Sequence, residues 1–398
     1  MRLLVLSFYF TPDLSAGSFR VQALCKAIAR EYPNAKIDIL TTMPNRYSSF
    51  TKPALEHEEH NNLTITRLSV RQHSGGLISQ IITFADYSIQ VLKNSNLKKY
   101  DLIFASSSRL MTAALGALVS QRQGIILYID IRDLFLDTIL SVYSLRVKFI
   151  LHPLINLIER YTFNTATKIN LVSEGFKDYC SKKYPHKDLS FYTNGIDNVF
   201  LKNRKPIKTE KLDIETSKDK IKILYAGNIG EGQVIDMIIP QLSRILENSY
   251  EFIIIGDGSR KEKLKKVIRL HKIKNIEILD PLPRDDLIRH YQNADILFLH
   301  LDDNLAFQKV LPSKIFEYAA SGKPILAGVT SYPKIFLDTN VKNAQTFRPT
   351  DAKDAARALK DLSLSWEPRD LFIEKFKRST IMREMAKDIF SLHSSDYS

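Results

Sequence analysis

The sequence predicts an α/β protein made of two doubly wound domains. Apolar, β-branched runs alternate with helical patterns through both halves of the 398 residues, as is typical of parallel sheets covered by helices. A polar, lysine-rich segment without periodicity, residues 201–220, separates the two series. At about 150 residues per domain the chain is long enough for two or three domains, so this segment is the predicted linker. A cleft between the strand ends of two such domains is a usual place for a ligand.

The strands are predicted from short apolar runs. In residues 1–200, the first domain, they are RLLVLSF, KIDILTT, LTITRLS, LIFASS, GIILYID, KINLVS and LSFYTN. In residues 221–365, the second domain, they are KIKILYAG, YEFIIIGDG, NIEILDP, ADILFLHL and PILAGV. Residues 366–398 contain the amphipathic pattern LFIEKFKRSTIMREMAKDIFSLH, which predicts a long helix that returns to cover the first domain.

Composition limits the class of protein. The chain has 57 Lys and Arg against 44 Asp and Glu, a formal charge of +13, which favours an anionic partner. No helix-turn-helix, zinc-finger or RNA-binding signature is present, so nucleic acid is not expected as that partner. The two cysteines, Cys25 and Cys180, lie in separate helical patterns, which argues against a disulfide framework or a zinc site and fits a reducing cytoplasm.

No run approaches the roughly 20 apolar residues that a membrane-spanning helix needs. The N-terminal apolar run is predicted as a first buried strand and not as a signal peptide. The longest apolar pattern, residues 144–163, is interrupted by Arg146, Lys148 and Pro153. Such a segment can lie on a membrane surface or pack as a buried helix, and the sequence leaves both interpretations open.

Three loops that follow predicted strands carry candidate binding residues. In FTPDLSAGSFR, Gly17 precedes a helix predicted to begin near Ser18, so backbone N–H groups can face an anion or a sugar; a simple turn is the alternative. In YAGNIGEGQ, residues 225–233, three glycines indicate close approach of the backbone to a diphosphate. In IIIGDGSRKEKL, residues 253–264, a structural turn and the edge of a ligand site are equally good interpretations.

The stretch VLPSKIFEYAASGKPIL predicts a helix followed by a strand. Pro312 suits the first helical turn, and Gly322 ends the helix. Lys314 and Glu317 then lie on one face near the N-terminus, where a lysine attracts phosphate and a carboxylate can accept from sugar hydroxyls. An ordinary surface Lys/Glu pair is the alternative.

The order and spacing of these motifs resemble glycosyltransferase family 4. The resemblance rests on ILYAGNIGEGQ, IIGDGSRKEKL, LPRDDLIRHYQNADILFL and LPSKIFEYAASGKPIL, and in the first half on DIRDLFLDT, ERYTFNTATKINLVSEGFKDY and YTNGID. It is strongest for a subgroup that acts in bacterial surface polysaccharide assembly. It implies the glycosyltransferase B fold, in which two Rossmann-like domains face each other across a cleft and a C-terminal helix returns to the first domain.

The resemblance also implies a donor site. Glu317 would bind the ribose hydroxyls of a nucleotide, and the diphosphate would meet Lys314 or the helix N-terminus. The donor-binding candidates are Gly17, Gly227, Asn228, Gln233, Gly256, Asp257, Pro312, Ser313, Lys314 and Glu317. The chain departs from the family pattern in three places, since Lys309 stands where a second glutamate is common, and Asn228 and Gln233 stand where an arginine and a lysine are common.

The implied activity is sugar transfer from a nucleotide diphosphate sugar, UDP-linked, with retention of configuration. The sugar would be a hexosyl or N-acetylhexosaminyl group. No cofactor beyond this co-substrate and no metal is expected, because the sequence shows no metal-spaced cluster and DIRD is not an Asp-x-Asp motif on a nucleotide loop. The catalytic candidates are Asp133 and Lys309; a helix cap or a salt bridge is an equally good interpretation of Asp133. Arg20 and Glu174 are candidates on the acceptor side.

The expected acceptor is a polyprenyl-diphosphate-linked saccharide, met at the cytoplasmic face of the cell membrane during O-antigen, capsule or exopolysaccharide synthesis. The positive charge and residues 144–163 favour an anionic membrane surface as a partner. Two other classes stay open at this stage. One is a nucleotide-sugar epimerase of the same architecture, and the other is a basic binding protein without catalytic activity.

Overall fold

The structure, a computed structural model, forms two compact units. The N-terminal unit comprises Met1–Asn194 and Arg378–Ser398, and the C-terminal unit comprises Gly195–Lys377. The residues that the structure describes are 1–45, 53–71, 77–107, 110–136, 145–201 and 220–395. Residues 202–219, nearly all of the predicted linker, lie outside them.

The N-terminal unit is built on an eight-stranded sheet in the order β3-β4-β2-β1-β5-β6-β7-β8. Its strands are β1 (Arg2–Leu6), β2 (Lys36–Thr42), β3 (His57–His60), β4 (Leu63–Leu68), β5 (Leu102–Ser106), β6 (Ile126–Ile131), β7 (Lys168–Leu171) and β8 (Asp188–Ser190). Its first five helices are α1 (Ala16–Glu31), α2 (Leu77–Ser95), α3 (Leu110–Gln123), α4 (Leu145–Thr165) and α5 (Lys177–Lys183). All strand pairs are parallel except β3 with β4.

The C-terminal unit has a six-stranded parallel sheet in the order β11-β10-β9-β12-β13-β14. Its strands are β9 (Ile221–Ala226), β10 (Tyr250–Ile255), β11 (Ile276–Leu279), β12 (Ile296–His300), β13 (Ile325–Gly328) and β14 (Ala344–Phe347). Its helices are α6 (Ile235–Leu246), α7 (Lys261–Leu270), α8 (Arg284–Asn293), α9 (Lys314–Ser321), α10 (Ser331–Asn340), α11 (Ala352–Lys360) and α12 (Asp370–Phe376).

Strands β3 and β14 were not predicted, because each lies at a sheet edge and lacks an apolar run. The sequence of β3 is HEEH, and that of β14 is AQTF. These strands are defined by backbone hydrogen bonds to a single neighbouring strand. Their side chains therefore show little of the apolar pattern from which a strand is predicted. The prediction of two parallel, helix-covered α/β sheets is confirmed.

Strand β9 has β10 on one side and β12 on the other, so the chain reverses its winding direction beside it. In open α/β sheets, ligands bind outside the carboxyl ends of the strands at such a switch point. The loop that follows β9 and the end of β12 therefore mark the expected binding edge of the C-terminal unit.

The predicted return of the C-terminal helix is confirmed. The chain ends in helix α13 (Arg378–Ser395), whose Met382, Met385 and Ile389 are fully buried in one core cluster with apolar residues of α1. The single long helix that the sequence predicts is divided, since Lys377 adopts an extended conformation between α12 and α13.

Helix α4 buries one face and exposes the other. Phe163 is 1% exposed, whereas Phe149 and Leu157 are 85% and 65% exposed. The carboxylate of Glu159 is buried and accepts hydrogen bonds from Tyr179, Lys183 and Tyr184. Among the helices that the structure describes, none has the length and apolarity to cross a bilayer. Phe149, Leu154 and Leu157 leave apolar side chains exposed along α4.

Arg20 is a structural residue, which corrects its assignment to the acceptor side. Its side chain is 1% exposed, and its Nε and Nη2 donate to the two carboxylate oxygens of Asp130 at 2.9 Å. Nη1 and Nη2 also donate to the carbonyl oxygens of Thr193 and Tyr192. The guanidinium is thus occupied within the fold, where it links α1 to β6 and to the chain after β8.

We predict that Arg20→Gln destabilises the protein by about 3–5 kcal/mol, because the Asp130 carboxylate would then be buried without its cation. Urea unfolding measures this change. Arg30→Gln, at an exposed position of the same helix, is the matched control and should change stability by less than about 0.5 kcal/mol. Equal effects of the two substitutions would contradict the structural role.

Candidate functional site

Two glycine-containing loops lie backbone against backbone at the carboxyl edge of the C-terminal sheet. The N–H of Gly227 donates to Ile255 O, and the N–H of Ile229 donates to Asp257 O, each at 2.8 Å. A Cβ at Gly256 would overlap the carbonyl oxygen of Gly227. Side chains are thus excluded at this contact, so the second and third glycine motifs of the sequence form one structure.

The loop after β9, residues 227–234, presents backbone donors. Within the described part of the chain, the N–H groups of Asn228, Gly230, Glu231 and Gly232 donate no hydrogen bond. Successive backbone N–H groups without acceptors form a cavity suited to an anion. We call residues 227–234 the donor loop.

The side chains of Asn228 and Gln233 close the donor loop on itself. Asn228 Nδ2 donates to Gln233 Oε1 at 2.7 Å, and the Tyr225 hydroxyl donates to the Asn228 carbonyl oxygen at 2.5 Å. These two positions, where the resemblance leads one to expect an arginine and a lysine, form an uncharged pair. Positive charge for an anionic ligand must therefore come from another element.

Lys314, in the first turn of α9, supplies such a charge. Its ammonium lies 5.4 Å from the centroid of the Tyr225 ring and beside Gly227, where a Cβ would overlap it. It makes no hydrogen bond or ion pair with any described residue. Burial lowers the pKa of Lys314, and the Glu317 carboxylate one turn on opposes that effect. A partly buried cation without a hydrogen-bonded anion, next to backbone N–H groups that donate no hydrogen bond, is an arrangement suited to an anion.

Glu317 is oriented by a tyrosine that the sequence did not reveal. The Tyr291 hydroxyl, from α8, donates to Glu317 Oε2 at 3.1 Å, and Tyr291 is 4% exposed. Burial, and then the Glu317 charge, raise the pKa of Tyr291 well above its ordinary value, so the phenol keeps its proton. Tyr318, which follows Glu317 in α9, accepts a hydrogen bond from the N–H of Ala226 and so joins α9 to the end of β9.

The carboxyl end of α9 is held by residues 366–369. Trp366 Nε1 donates to Ser321 O at 3.1 Å, and the buried Arg369 donates to Ala319 O and Lys323 O. Burial lowers the pKa of Arg369 to about 10. A cation at the carboxyl end of a helix is favourable, so this segment fixes the direction in which α9 presents Lys314. Its sequence, WEPR, shows no motif that predicts this role.

The remaining donor candidates lie next to these elements. Asp257 lies in the loop that follows β10, where its carboxylate accepts a hydrogen bond from the N–H of Gly258 at 2.8 Å. Lys309 ends a short 3-10 turn, and Pro312 and Ser313 lead into α9. In the described ranges, no three His, Cys, Asp or Glu side chains are grouped as metal ligands.

The candidates of the N-terminal unit follow strand ends of its own sheet. Helix α1 begins at Ala16, two residues earlier than predicted, and the Ser15 hydroxyl caps it by accepting from the N–H of Ser18. Gly17 leaves room for the guanidinium of Arg132, which was not among the predicted site residues. Asp133 is exposed after β6, and Glu174 is exposed after β7.

The fold is the glycosyltransferase B fold with two Rossmann-like units. Sucrose-phosphate synthase from Thermosynechococcus elongatus has a similar structure, with a TM-score of 0.78, 13% identity, and coverage of 99% of this chain and 100% of that chain. HepE from Anabaena, in a complex with UDP and glucose, gives a TM-score of 0.69 at 14% identity and covers 98% and 100% of the two chains.

Sequence comparison adds similarity to a family of glycosyl transferases in the second half of the chain. Residues 207–379 match the family model described as "Glycosyl transferases group 1". Over 125 residues the chain is 30% identical to "Putative colanic acid biosynthesis glycosyl transferase WcaI" from Escherichia coli (strain K12). That alignment covers 31% of this chain and spans only 30% of the relative's length.

We predict that Lys314→Met does not lower the melting temperature, because the apolar side chain removes a charge whose burial is unfavourable. Anion binding should weaken by about 1.5–3 kcal/mol, since a hydrogen bond to a charged group is lost. Differential scanning fluorimetry with and without a nucleoside diphosphate measures both effects. Lys266→Met, at an exposed position of α7, is the control. A strong loss of stability in Lys314→Met alone would contradict the site.

Proposed function

We propose that this protein transfers a sugar from a nucleotide diphosphate sugar to a hydroxyl group of an acceptor. The observation that carries the proposal is the Lys314 ammonium, held against the donor loop beside free backbone N–H groups and without a hydrogen-bonded anion. The match of residues 207–379 to the glycosyl transferases group 1 model supports it. Glu317, three residues after Lys314, is then the group that accepts from the ribose hydroxyls.

The chemistry needs stabilisation of a leaving group. The bond from the anomeric carbon to the diphosphate oxygen breaks, a bond from the acceptor oxygen to that carbon forms, and the proton of the acceptor hydroxyl passes to the departing diphosphate. Negative charge therefore grows on the diphosphate, where preorganised donors are most effective. Lys314 and the N–H groups of the donor loop supply this stabilisation without a metal, and Lys309, which lies just before α9, is a candidate for additional charge.

We further propose a UDP-linked hexose or N-acetylhexosamine donor, transfer with retention, and a role in bacterial surface polysaccharide synthesis. Structural similarity to HepE, whose complex contains UDP and glucose, supports the donor. The partial similarity to a colanic acid biosynthesis enzyme supports the pathway class. On the acceptor side we assign Asp133 and Glu174, which follow neighbouring strands β6 and β7.

We predict that uridine diphosphate raises the melting temperature and that Glu317→Gln removes most of that shift, because binding to the folded state stabilises it by mass action. Guanosine, adenosine and cytidine diphosphates are compared in the same screen, and Glu262→Gln, at an exposed position of α7, is the control.

Release of nucleotide together with an elongated acceptor would establish transfer. An altered sugar without release would indicate an epimerase. Salt-sensitive binding of polyanions without any nucleotide response would indicate a binding protein.

The acceptor that we propose is lipid-linked, a polyprenyl-diphosphate saccharide, and the protein would then work at the inner membrane surface. Phe149, Pro153, Leu157 and Arg160 repeat at helical spacing and are all exposed on α4. The one acidic residue of this helix, Glu159, is buried. An apolar helical face with exposed basic and no exposed acidic side chains suits an anionic lipid surface.

We predict that replacing Phe149, Leu154 and Leu157 together by serine abolishes sedimentation with vesicles that contain an anionic lipid. The apolar surface that would enter the membrane is then lost. The matched control replaces Leu97, Leu270 and Leu371, which are 78%, 72% and 84% exposed, by serine. Equal binding of both triple variants would show that another surface, or no membrane, is involved.

A further inference from the structure

His300 is a buried histidine at the switch point of the C-terminal sheet. It is the last residue of β12 and has no exposed surface. Its ring stacks on Phe298 with an interplanar angle of 4°, and a Cβ at Gly328 would overlap it. The imidazole therefore has one position and cannot turn toward solvent.

Both ring nitrogens are used, and their partners define the tautomer. Nδ1 lies 2.7 Å from the carbonyl oxygen of Gln233, which can only accept, so Nδ1 carries the proton. Nε2 accepts from the N–H of Thr350 at 3.0 Å, so Nε2 is unprotonated. This neutral imidazole joins the end of the donor loop to the loop after β14.

Anion binding by the donor loop would require its backbone to be held in a fixed orientation. Its two side chains at the positions expected to be basic are an uncharged pair, so the loop contributes to anion binding through backbone N–H groups. Backbone dipoles are effective only when they are held in the direction of the charge. Asn228 is tied to Gln233 through side chains, and Gln233 is tied to His300 through its carbonyl oxygen.

We propose that His300 is a positioning residue for the nucleotide diphosphate, which sets the direction of the donor-loop N–H groups through the carbonyl of Gln233. The inference rests on the proposed function for its ligand. The hydrogen-bonded link itself is a property of the fold, and it is tested separately below.

Protonation would break the link, because a second N–H would then face the N–H of Thr350. Burial lowers the pKa of His300 from its ordinary 6.5 to about 4, and a Gln233 hydrogen bond and the nearby Asp302 carboxylate oppose this. The other side chains described against the ring are the uncharged Phe298 and Phe347. The folded state thus binds fewer protons than the unfolded state between these two values. The stabilisation is fully present above pH 6.5 and is lost as the pH falls toward 4.

A pair of near-isosteric variants separates positioning from packing. The amide N–H of Asn in His300→Asn replaces Nδ1–H and keeps the bond to Gln233, whereas the carbonyl of Gln in His300→Gln replaces Nε2 and keeps only the bond from Thr350. We expect the affinity for uridine diphosphate, measured by calorimetry near neutral pH, to fall at least about tenfold in His300→Gln and less than about threefold in His300→Asn. His271→Gln, at an exposed position, is the control. Equal losses in the two His300 variants would overturn the proposal.

The second measurement needs no ligand. Amide hydrogen exchange of Ile229, Gln233 and Val234, the donor-loop amides in this stretch that are hydrogen-bonded, should accelerate in His300→Gln and stay near wild type in His300→Asn. The wild-type melting temperature should fall between pH 6.5 and 4 relative to His300→Asn, which has no group to titrate there. If this link is found but no variant binds a nucleotide, the proposed function fails while the link stands. If exchange in the donor loop is the same in all variants, the positioning role is excluded.

Discussion

The contact between the Gly227 and Gly256 backbones is the constraint on which the C-terminal site depends. Because Gly256 has no Cβ, the two loops after β9 and β10 come close enough for direct hydrogen bonds. The same absence of a side chain at Gly227 leaves room for the Lys314 ammonium. The two glycines therefore bring a cation from α9 next to a loop in which several N–H groups donate no hydrogen bond within the described residues, an arrangement suited to an anion.

The charge of the site comes from one partly buried lysine and from backbone dipoles. Asn228 and Gln233 replace two expected basic residues and contribute geometry instead of charge. Because the donor loop would act through its backbone and α9 through one lysine, several residues outside them are needed to orient the loop and the helix. Tyr291 directs Glu317, and Arg369 holds the carboxyl end of α9, opposite to the end that carries Lys314. The uncharged His300 fits the same scheme, since a buried imidazole that uses both nitrogens fixes a loop without adding a second cation.

In the N-terminal unit, Arg20, which the sequence placed on the acceptor side, is held in a buried ion pair with Asp130. Arg20 and Asp130 satisfy each other and two carbonyl groups, and α13 covers the apolar side of α1. The first and last parts of the chain are therefore mutually dependent for stability. The exposed face of α4 has no comparable partner within the described residues of this unit, and its apolar and basic side chains agree with a surface function.

The sequence by itself determined the α/β class, the two series of strands, the returning helix and the glycine and Lys-Glu motifs, because these follow from local periodicity and from residues with special backbone properties. The tertiary structure decided which polar residues are available. Arg20 resembled a ligand residue in sequence, but burial and Asp130 occupy it. No sequence pattern assigned a role to Tyr291, His300 or Arg369, because each acts on a residue that is distant along the chain. Side-chain partners of this kind depend on how strands and helices pack, and short-range patterns carry no record of that packing.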